Sequence, residues 1–201
     1  MEHSYSQIGQ DKNVVSFYKQ KRNGFFVEIG AYDGVALSNT YALERYYDWN
    51  GICVEPLSYR YEQLIINRKA KCSNLAVYNK SDIDVSFDVE GDAGMLSGIN
   101  THIDAHKYIV DKNKKTVTVK TISLNDLLEK FSAPNFIEYL SLDTEGSEYE
   151  ILKALDFEKW KFGLIDVEHN YIEPRRSLIK QLLCGNGYTY IGANHFDDSY
   201  V

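Results

Sequence analysis

Val27-Glu28-Ile29-Gly30-Ala31-Tyr32-Asp33-Gly34 decides how the rest of the chain is read. The apolar lead-in Gly24-Phe25-Phe26 runs into it and predicts a buried strand from Gly24 to Gly30. From Val35 to Tyr47, the residues Leu37, Leu43, Tyr46 and Tyr47 are placed for one face of a helix. Strand, tight glycine turn and helix make the corner on which nucleotides are held. Gly30 lets the chain turn where a side chain would clash. Gly34 allows a ligand or the helix to come close, and Ser38 is placed to cap that helix. Glu28 is a carboxylate in an otherwise apolar strand, and burying it is costly unless it is paired. The spacing Glu-x-Gly-x-x-x-Gly departs from the dinucleotide fingerprint, because position 32 is not glycine. An ordinary glycine turn of an α/β protein has the same local shape.

A chain of 201 residues is long enough for one domain with a substantial core. Its 44% hydrophobic and 25% charged residues mark it as globular rather than disordered. A net charge of −7 argues against a nucleic-acid partner, which needs a basic face. The local clusters Lys112/Lys114/Lys115 and Arg175/Arg176 read as solvated loop and helix charge. Cys53, Cys72 and Cys184 are scattered, as in a reduced compartment. The polar first residues lack an apolar signal core, and no apolar run is long enough to span a bilayer. A cytoplasmic protein is expected, and composition leaves its oligomeric state open.

Strand and helix patterns alternate along most of the chain. A first helix carries Val14, Val15, Phe17 and Tyr18. Gly51 to Glu55 is a second short strand, and a helix from about Ser58 to Arg68 follows it. Cys72 to Tyr78 reads as a third strand. Residues 79–121 are the least regular, although Val85–Val89 and Thr116–Ile122 alternate like strands. They are read as an extension that helps form a substrate wall, with Gly91 to Lys115 mobile in the absence of substrate. Ser123-x-x-Asp126 is a capping-box-like helix start. Ile137–Asp143 and Phe162–Glu168 are further strands, Gly146–Leu155 and Glu173–Cys184 are helices, and Tyr188–Ile191 with Ser199–Val201 forms a closing hairpin. This order implies a mainly parallel sheet covered on both faces, with ligands beyond the carboxyl ends of its strands.

Those ends are acidic. Glu28 and Asp33 belong to the first, Glu55 to the second, Asp143 and Glu145 to the fourth, and Asp166 and Glu168 to the fifth, followed by His169-Asn170. Glu55 follows Gly34 by about twenty residues, the spacing at which nucleotide folds place an acid on the ribose hydroxyls. A helix-cap role before Pro56 is the plainer alternative. Asp143, Glu145 and Glu168 on one rim would repel one another. Either a cationic ligand or a divalent metal such as Mg²⁺, Mn²⁺ or Ca²⁺ would offset that. Alternatively, Glu145 and Glu148 merely favour a helix N-terminus, which leaves Asp143 and Glu168 unexplained. His169 is the candidate general base of the five histidines.

Taken together, these residues resemble the FkbM-type methyltransferases. The resemblance is carried by Ser6-Gln7-x-Gly9-Gln10-Asp11, Phe26 to Gly34, Ser38-Asn39-Thr40, Trp49 to Pro56, Leu64-x-x-Asn67-Arg68, Asn74-x-Ala76-Val77 and Leu142 to Leu152. It spans nearly the whole chain and is looser over residues 79–121. It implies a Rossmann-like class I methyltransferase fold over residues 1–201: a mainly parallel seven-stranded sheet with an antiparallel C-terminal strand. It also implies S-adenosylmethionine (SAM)-dependent O-methylation, commonly of sugar or polyketide-linked hydroxyls, with a glycan or small-molecule acceptor. Glu28, Gly30, Ala31, Tyr32, Asp33 and Gly34 would surround the methionine part of SAM, with Ser38 and Asn39 near its carboxylate. Glu55 would hold the ribose, and Pro56 and Asn74 join the cofactor contacts. Catechol O-methyltransferases share Gly-Ala-Tyr and bind metal with acids after the fourth and fifth strands. Asp143 stands at the first of those places, while Glu168, His169 and Asn170 surround the second in place of the usual Asp-Asn. Asp143, Glu145 and His169 are the expected catalytic groups. A SAM-fold binding or scaffold module and an NAD-dependent oxidoreductase are the rival readings.

Overall fold

The computed structural model describes residues 4–90, 97–99 and 114–201. Helix α1 (Gln10–Phe17) precedes strand β1 (Phe25–Ile29). Then come α2 (Tyr41–Tyr47), β2 (Asn50–Val54), α3 (Ser58–Asn67) and β3 (Lys71–Ser73). Four strands follow: β4 (Ala76–Tyr78), β5 (Asp84–Glu90), β6 (Ser97–Ile99) and β7 (Lys114–Ser123). The chain continues through α4 (Leu124–Lys130), β8 (Phe136–Leu142), α5 (Glu148–Lys153), β9 (Lys161–Glu168) and α6 (Arg175–Gly185). It closes with the hairpin β10 (Tyr190–Asn194) and β11 (Asp197–Tyr200). Among the described residues, no helix is long and apolar enough to cross a membrane.

The main sheet has seven strands in the order β10-β11-β9-β8-β1-β2-β3. β1 pairs in parallel with β2 and β8, β2 with β3, and β8 with β9. β11 runs antiparallel to β9 and β10. The mainly parallel sheet expected from the strand–helix alternation is present, closing hairpin included, in the Rossmann-like arrangement that the resemblance implied. The chain builds outward from β1 to β3, then returns to the other side of β1 with β8. The gap between the ends of β1 and β8 is therefore the switch point at which such sheets hold ligands.

Alternation along the strands gives each face its own core. On one face Val27, Ile29, Leu140 and Ile165 pack with Leu127, Leu128, Ile151, Leu152, Ile179 and Leu183 from α4, α5 and α6. On the other, Phe26, Cys53, Tyr139 and Leu164 pack with Val14, Val15, Leu43 and Leu64 from α1, α2 and α3. At the switch point Gly30 has φ +88°, and a Cβ there would stand 2.1 Å from the backbone oxygen of Asp143. Only glycine fits, because both the left-handed backbone and the close approach exclude a side chain.

Three sequence expectations are corrected. The helix over Val35–Tyr47 is confined to Tyr41–Tyr47, because residues 38–40 turn inward onto Glu28. The single strand over Cys72–Tyr78 is two strands in different sheets. Asn74 breaks it, donating its side-chain amide to the carbonyl oxygens of Glu55 and Pro56 at 2.9 and 3.0 Å. Residues 79–121 are not irregular where they are described. They give β5, β6 and most of β7, which join β4 in a second, four-stranded sheet of order β4-β7-β5-β6. Phe87 lies opposite Val117 and Val85 opposite Val119, so the alternation visible in sequence is a cross-strand pairing. The expected mobility of Gly91–Lys115 falls largely on residues 91–96 and 100–113, outside the described residues. The capping box is present: Asp126 N–H donates to Ser123 Oγ at 3.1 Å.

Glu28, the acid inside β1, is paired. Its carboxylate accepts hydrogen bonds from Ser38 Oγ at 3.0 Å, Asn39 N–H at 2.6 Å and Thr40 Oγ1 at 2.6 Å. The guanidinium of Arg68, at the end of α3, completes the set at 3.1 Å. Arg68 also reaches Glu44 on α2 and the carbonyl oxygen of Gly34. Breaking a buried pair leaves an uncompensated charge, so Arg68→Met should cost about 3–5 kcal/mol of stability in urea denaturation. An unchanged unfolding midpoint would contradict this account of the β1 turn.

Candidate active site

Two cavities meet at the switch point. Both are lined by Gly30, Tyr32, Asp143 and Glu145, so they are two ends of one cleft. The first end has an empty volume of about 610 Å³. Its walls are mostly apolar, with Val54 and Pro56 below and Val77, Phe87 and Ile99 from the second sheet above. The second end, of about 880 Å³, is polar and is lined by Gln7, Gln10, Asn39, Glu168 and Asn170 among others.

Glu55 borders the apolar end just after β2. It accepts the backbone N–H of Leu57 at 2.8 Å and of Tyr32 at 3.1 Å. Burial pushes its carboxyl up to about 7, against those two amides and the nearby Arg60. The Arg60 guanidinium sits 4.0 Å from the centre of the Tyr32 ring and fixes that wall.

Of the residues that the sequence assigned to a cofactor, Gly30, Ala31, Tyr32, Ser38, Asn39, Glu55 and Pro56 line the cleft. The others support it from behind. Glu28 is consumed by the network with Arg68. Asp33 accepts the N–H groups of Val35 and Ala36 and so shapes the turn. A Cβ at Gly34 would meet Arg68 and Leu64, so its glycine admits α3 rather than a ligand. Asn74 holds the backbone of Glu55 and Pro56. Phe87 and Ile99 were not singled out in sequence. Alternation marks Phe87 as strand, but only its pairing with β7 and β6 shows which wall it forms.

The acids of the fourth and fifth strand ends converge. Carboxylate oxygens of Asp143, Glu145 and Glu168 lie within 4.8 Å of one another. Glu148, fully buried behind them, is held by Thr144 N–H, Thr144 Oγ1 and Gly146 N–H at 2.8–3.0 Å. Burial raises Asp143 to about 6, helped by Glu148 and opposed by a hydrogen bond with Glu168. Burial also raises Glu145 to about 9, with Asp143 and Glu148 adding to it and Arg175 opposing. Glu168 is held well above the usual carboxylate range, first by burial and then by Asp143, Glu145 and Glu148. Three hard oxygen donors this close match the reach of one divalent cation.

His169 is not part of this group, and the expectation that it shares a metal site with Asp143 and Glu168 is corrected. Its buried ring turns away from the cleft. Nδ1 accepts the Tyr171 N–H at 2.9 Å, and Nε2 lies 3.5 Å from Asp198, which Arg176 holds at 2.8 Å. Burial lowers its pKa, and the neutral ring is a packed structural group there. Glu145, one residue beyond Thr144 and with φ +57°, takes the place expected for histidine.

No curated protein sequence matches the chain. Similar solved structures include a precorrin-6y C5,15-methyltransferase from Geobacter metallireducens, 12% identical with a TM-score of 0.49, the match covering 94% of this chain and 84% of that one. A methyltransferase from Pyrococcus furiosus is 14% identical with a TM-score of 0.42, over 93% and 80% of the two chains. A SAM-dependent methyltransferase from Aquifex aeolicus is 8% identical with a TM-score of 0.42, over 94% and 87%. The family model described as the methyltransferase FkbM domain matches residues 28–190, from the paired acid of β1 to the start of the closing hairpin. The chain belongs to the FkbM methyltransferase family.

Proposed function

We propose that this methyltransferase uses SAM to methylate a hydroxyl of a sugar, a glycan or another small metabolite. The observation that supports this most is the two-ended cleft at the β1/β8 switch point, apolar beside Glu55 and acidic beside Asp143. When bound, SAM supplies an electrophilic methyl group on a sulfonium cation.

The residues divide the work by chemistry. Val77, Phe87, Ile99 and Pro56 offer an apolar slot for a flat base. Glu55, its position set by Leu57 and Tyr32, would accept the two ribose hydroxyls at its rim. In the polar end, Asn39 Oδ1 is buried without a hydrogen-bond partner, which suits an ammonium group. Asp143 lies where the two ends meet and takes the hydroxyl proton. With a pKa of about 6 it ionises more readily than Glu145, at about 9, while burial and the neighbouring acids also hold Glu168 well above the usual carboxylate range. For transfer, these walls would have to bring the acceptor oxygen to about 3–3.5 Å from the methyl group. Asp143, Glu145 and Glu168 would also hold a divalent cation, which would act as a Lewis acid on the acceptor hydroxyl.

Glu55→Ala should weaken S-adenosylhomocysteine binding by about 1–3 kcal/mol in calorimetry, the worth of hydrogen bonds to a charged group. Unchanged affinity would place the ribose elsewhere. Asp143→Asn should abolish turnover while leaving that affinity within a few-fold, and near-normal turnover would remove Asp143 as the base. The trio also predicts a pH dependence of stability. Glu145 has a folded pKa of about 9 against an ordinary value of 4.5, so its stabilising contribution is present at low pH and is lost as pH rises through that range. Glu145→Gln, a neutral isostere, should therefore raise the melting temperature of the ligand-free protein at pH 8 relative to wild type. The gap should narrow toward pH 5, and a gap that widened would contradict the assignment.

A further inference from the structure

The motif Ser6-Gln7-x-Gly9-Gln10-Asp11 has no part in the chemistry described so far, yet it is tied to the cleft on both sides. Asp11 is fully buried, and its carboxylate accepts Ser4 Oγ at 2.6 Å, Tyr5 N–H at 2.8 Å, Ser6 Oγ at 2.8 Å and Lys12 N–H at 2.8 Å. Residues 4–6 are thereby folded back over the first turn of α1. Ser6 bridges to Leu37 in the loop after β1. On the opposite side, Gln10 donates to Asp197 at 2.8 Å, and Asn194 donates to the Ile8 carbonyl oxygen at 3.3 Å. The segment is a strap from the β1 loop to the β10–β11 hairpin, laid along the polar end of the cleft.

Every polar side chain of the motif except one is committed to this stitching. Gln7 lines the polar end, is exposed, and its amide makes no hydrogen bond to any described residue. The lining it faces consists of the trio's carboxylates, other amides, small groups and apolar side chains. Among the described residues it holds no lysine, arginine or histidine. An amide both donates and accepts, which is what adjacent hydroxyls require. A negatively charged acceptor would meet the carboxylates of the trio, and no lysine, arginine or histidine among the described lining residues stands beside it to offset them.

We infer that Gln7 hydrogen-bonds the methyl acceptor, that Asp11 is the positioning residue holding it there, and that the acceptor is a polyhydroxylated group carrying no negative charge. The inference rests on the methyltransferase reading above. With the protein saturated in S-adenosylhomocysteine, three probes are titrated by ligand-observed NMR: methyl glucoside as the neutral sugar, glucosamine as the cationic one and glucuronate as the anionic one. Methyl glucoside and glucosamine should bind, and glucuronate should bind at least tenfold more weakly. Gln7→Ala should weaken methyl glucoside about tenfold, one hydrogen bond's worth, and leave S-adenosylhomocysteine affinity unchanged. Asp11→Asn should weaken the same probe, and adding Gln7→Ala to it should cost less than it does in the wild type. Glucuronate binding as tightly as methyl glucoside, no binding by either uncharged or cationic sugar, or an indifferent Gln7→Ala would each overturn the inference. Failure of S-adenosylhomocysteine to bind would instead overturn the donor reading, and this inference with it.

Discussion

A carboxylate buried in the central strand is the constraint on which the rest of this structure depends. Glu28 cannot sit in β1 without a full set of donors, and the set it finds comes from distant parts of the chain. Ser38, Asn39 and Thr40 turn inward to reach it, which ends the loop after β1 and starts α2. Arg68 reaches it from the end of α3 and binds Glu44 with its other edge, so α2 and α3 are locked to β1 through one guanidinium. Gly34 is small so that Arg68 can pass. The turn from Gly30 to Asp33, and with it the floor of the cleft, follows from satisfying this one charge.

A few ångströms along the same sheet, acids of the same type are treated in the opposite way. Asp143, Glu145 and Glu168 are gathered in a cleft whose described lining holds no arginine or lysine, and burial and mutual repulsion raise their pKa values, opposed at Glu145 by Arg175. Glu28 is a satisfied charge and serves the fold. The trio is an unsatisfied one, and its energy is recovered only when a cation or a positively polarised group arrives. Of the other titratable groups nearby, Asp197 is raised to about 7 by burial and is tied to Gln10, so the strap and the trio share one electrostatic environment.

Much of this was legible in the sequence, and the limits have physical causes. The glycine turn, the acid about twenty residues beyond it and the acids at two later strand ends fixed the location of the cleft, because period and spacing are local signals. Which side of each strand end a side chain takes is not local. Glu28 and Glu55 look alike in sequence, yet one is spent on Arg68 and the other faces the cavity. His169 follows a buried strand, as a general base might be expected to, but the hairpin that packs on β9 brings Asp198 and turns the ring away. The second sheet was missed because β4 is only three residues long, and the pairing of Ala76 with Thr121 that joins it to β7 is not a local signal. Asn74, read as a cofactor ligand, is the residue that separates the two sheets.

The central claim is that the cleft is acid-primed for a cationic methyl donor. It is tested most directly by counting protons. Calorimetry near pH 7 in buffers of different ionisation enthalpy gives the number of protons released when SAM binds and when S-adenosylhomocysteine binds. The two ligands differ at the reacting end by a methyl group and its positive charge. SAM should release more protons than S-adenosylhomocysteine, because a sulfonium beside Asp143, Glu145 and Glu168 favours their ionised forms. Equal proton counts for the two ligands would contradict the account.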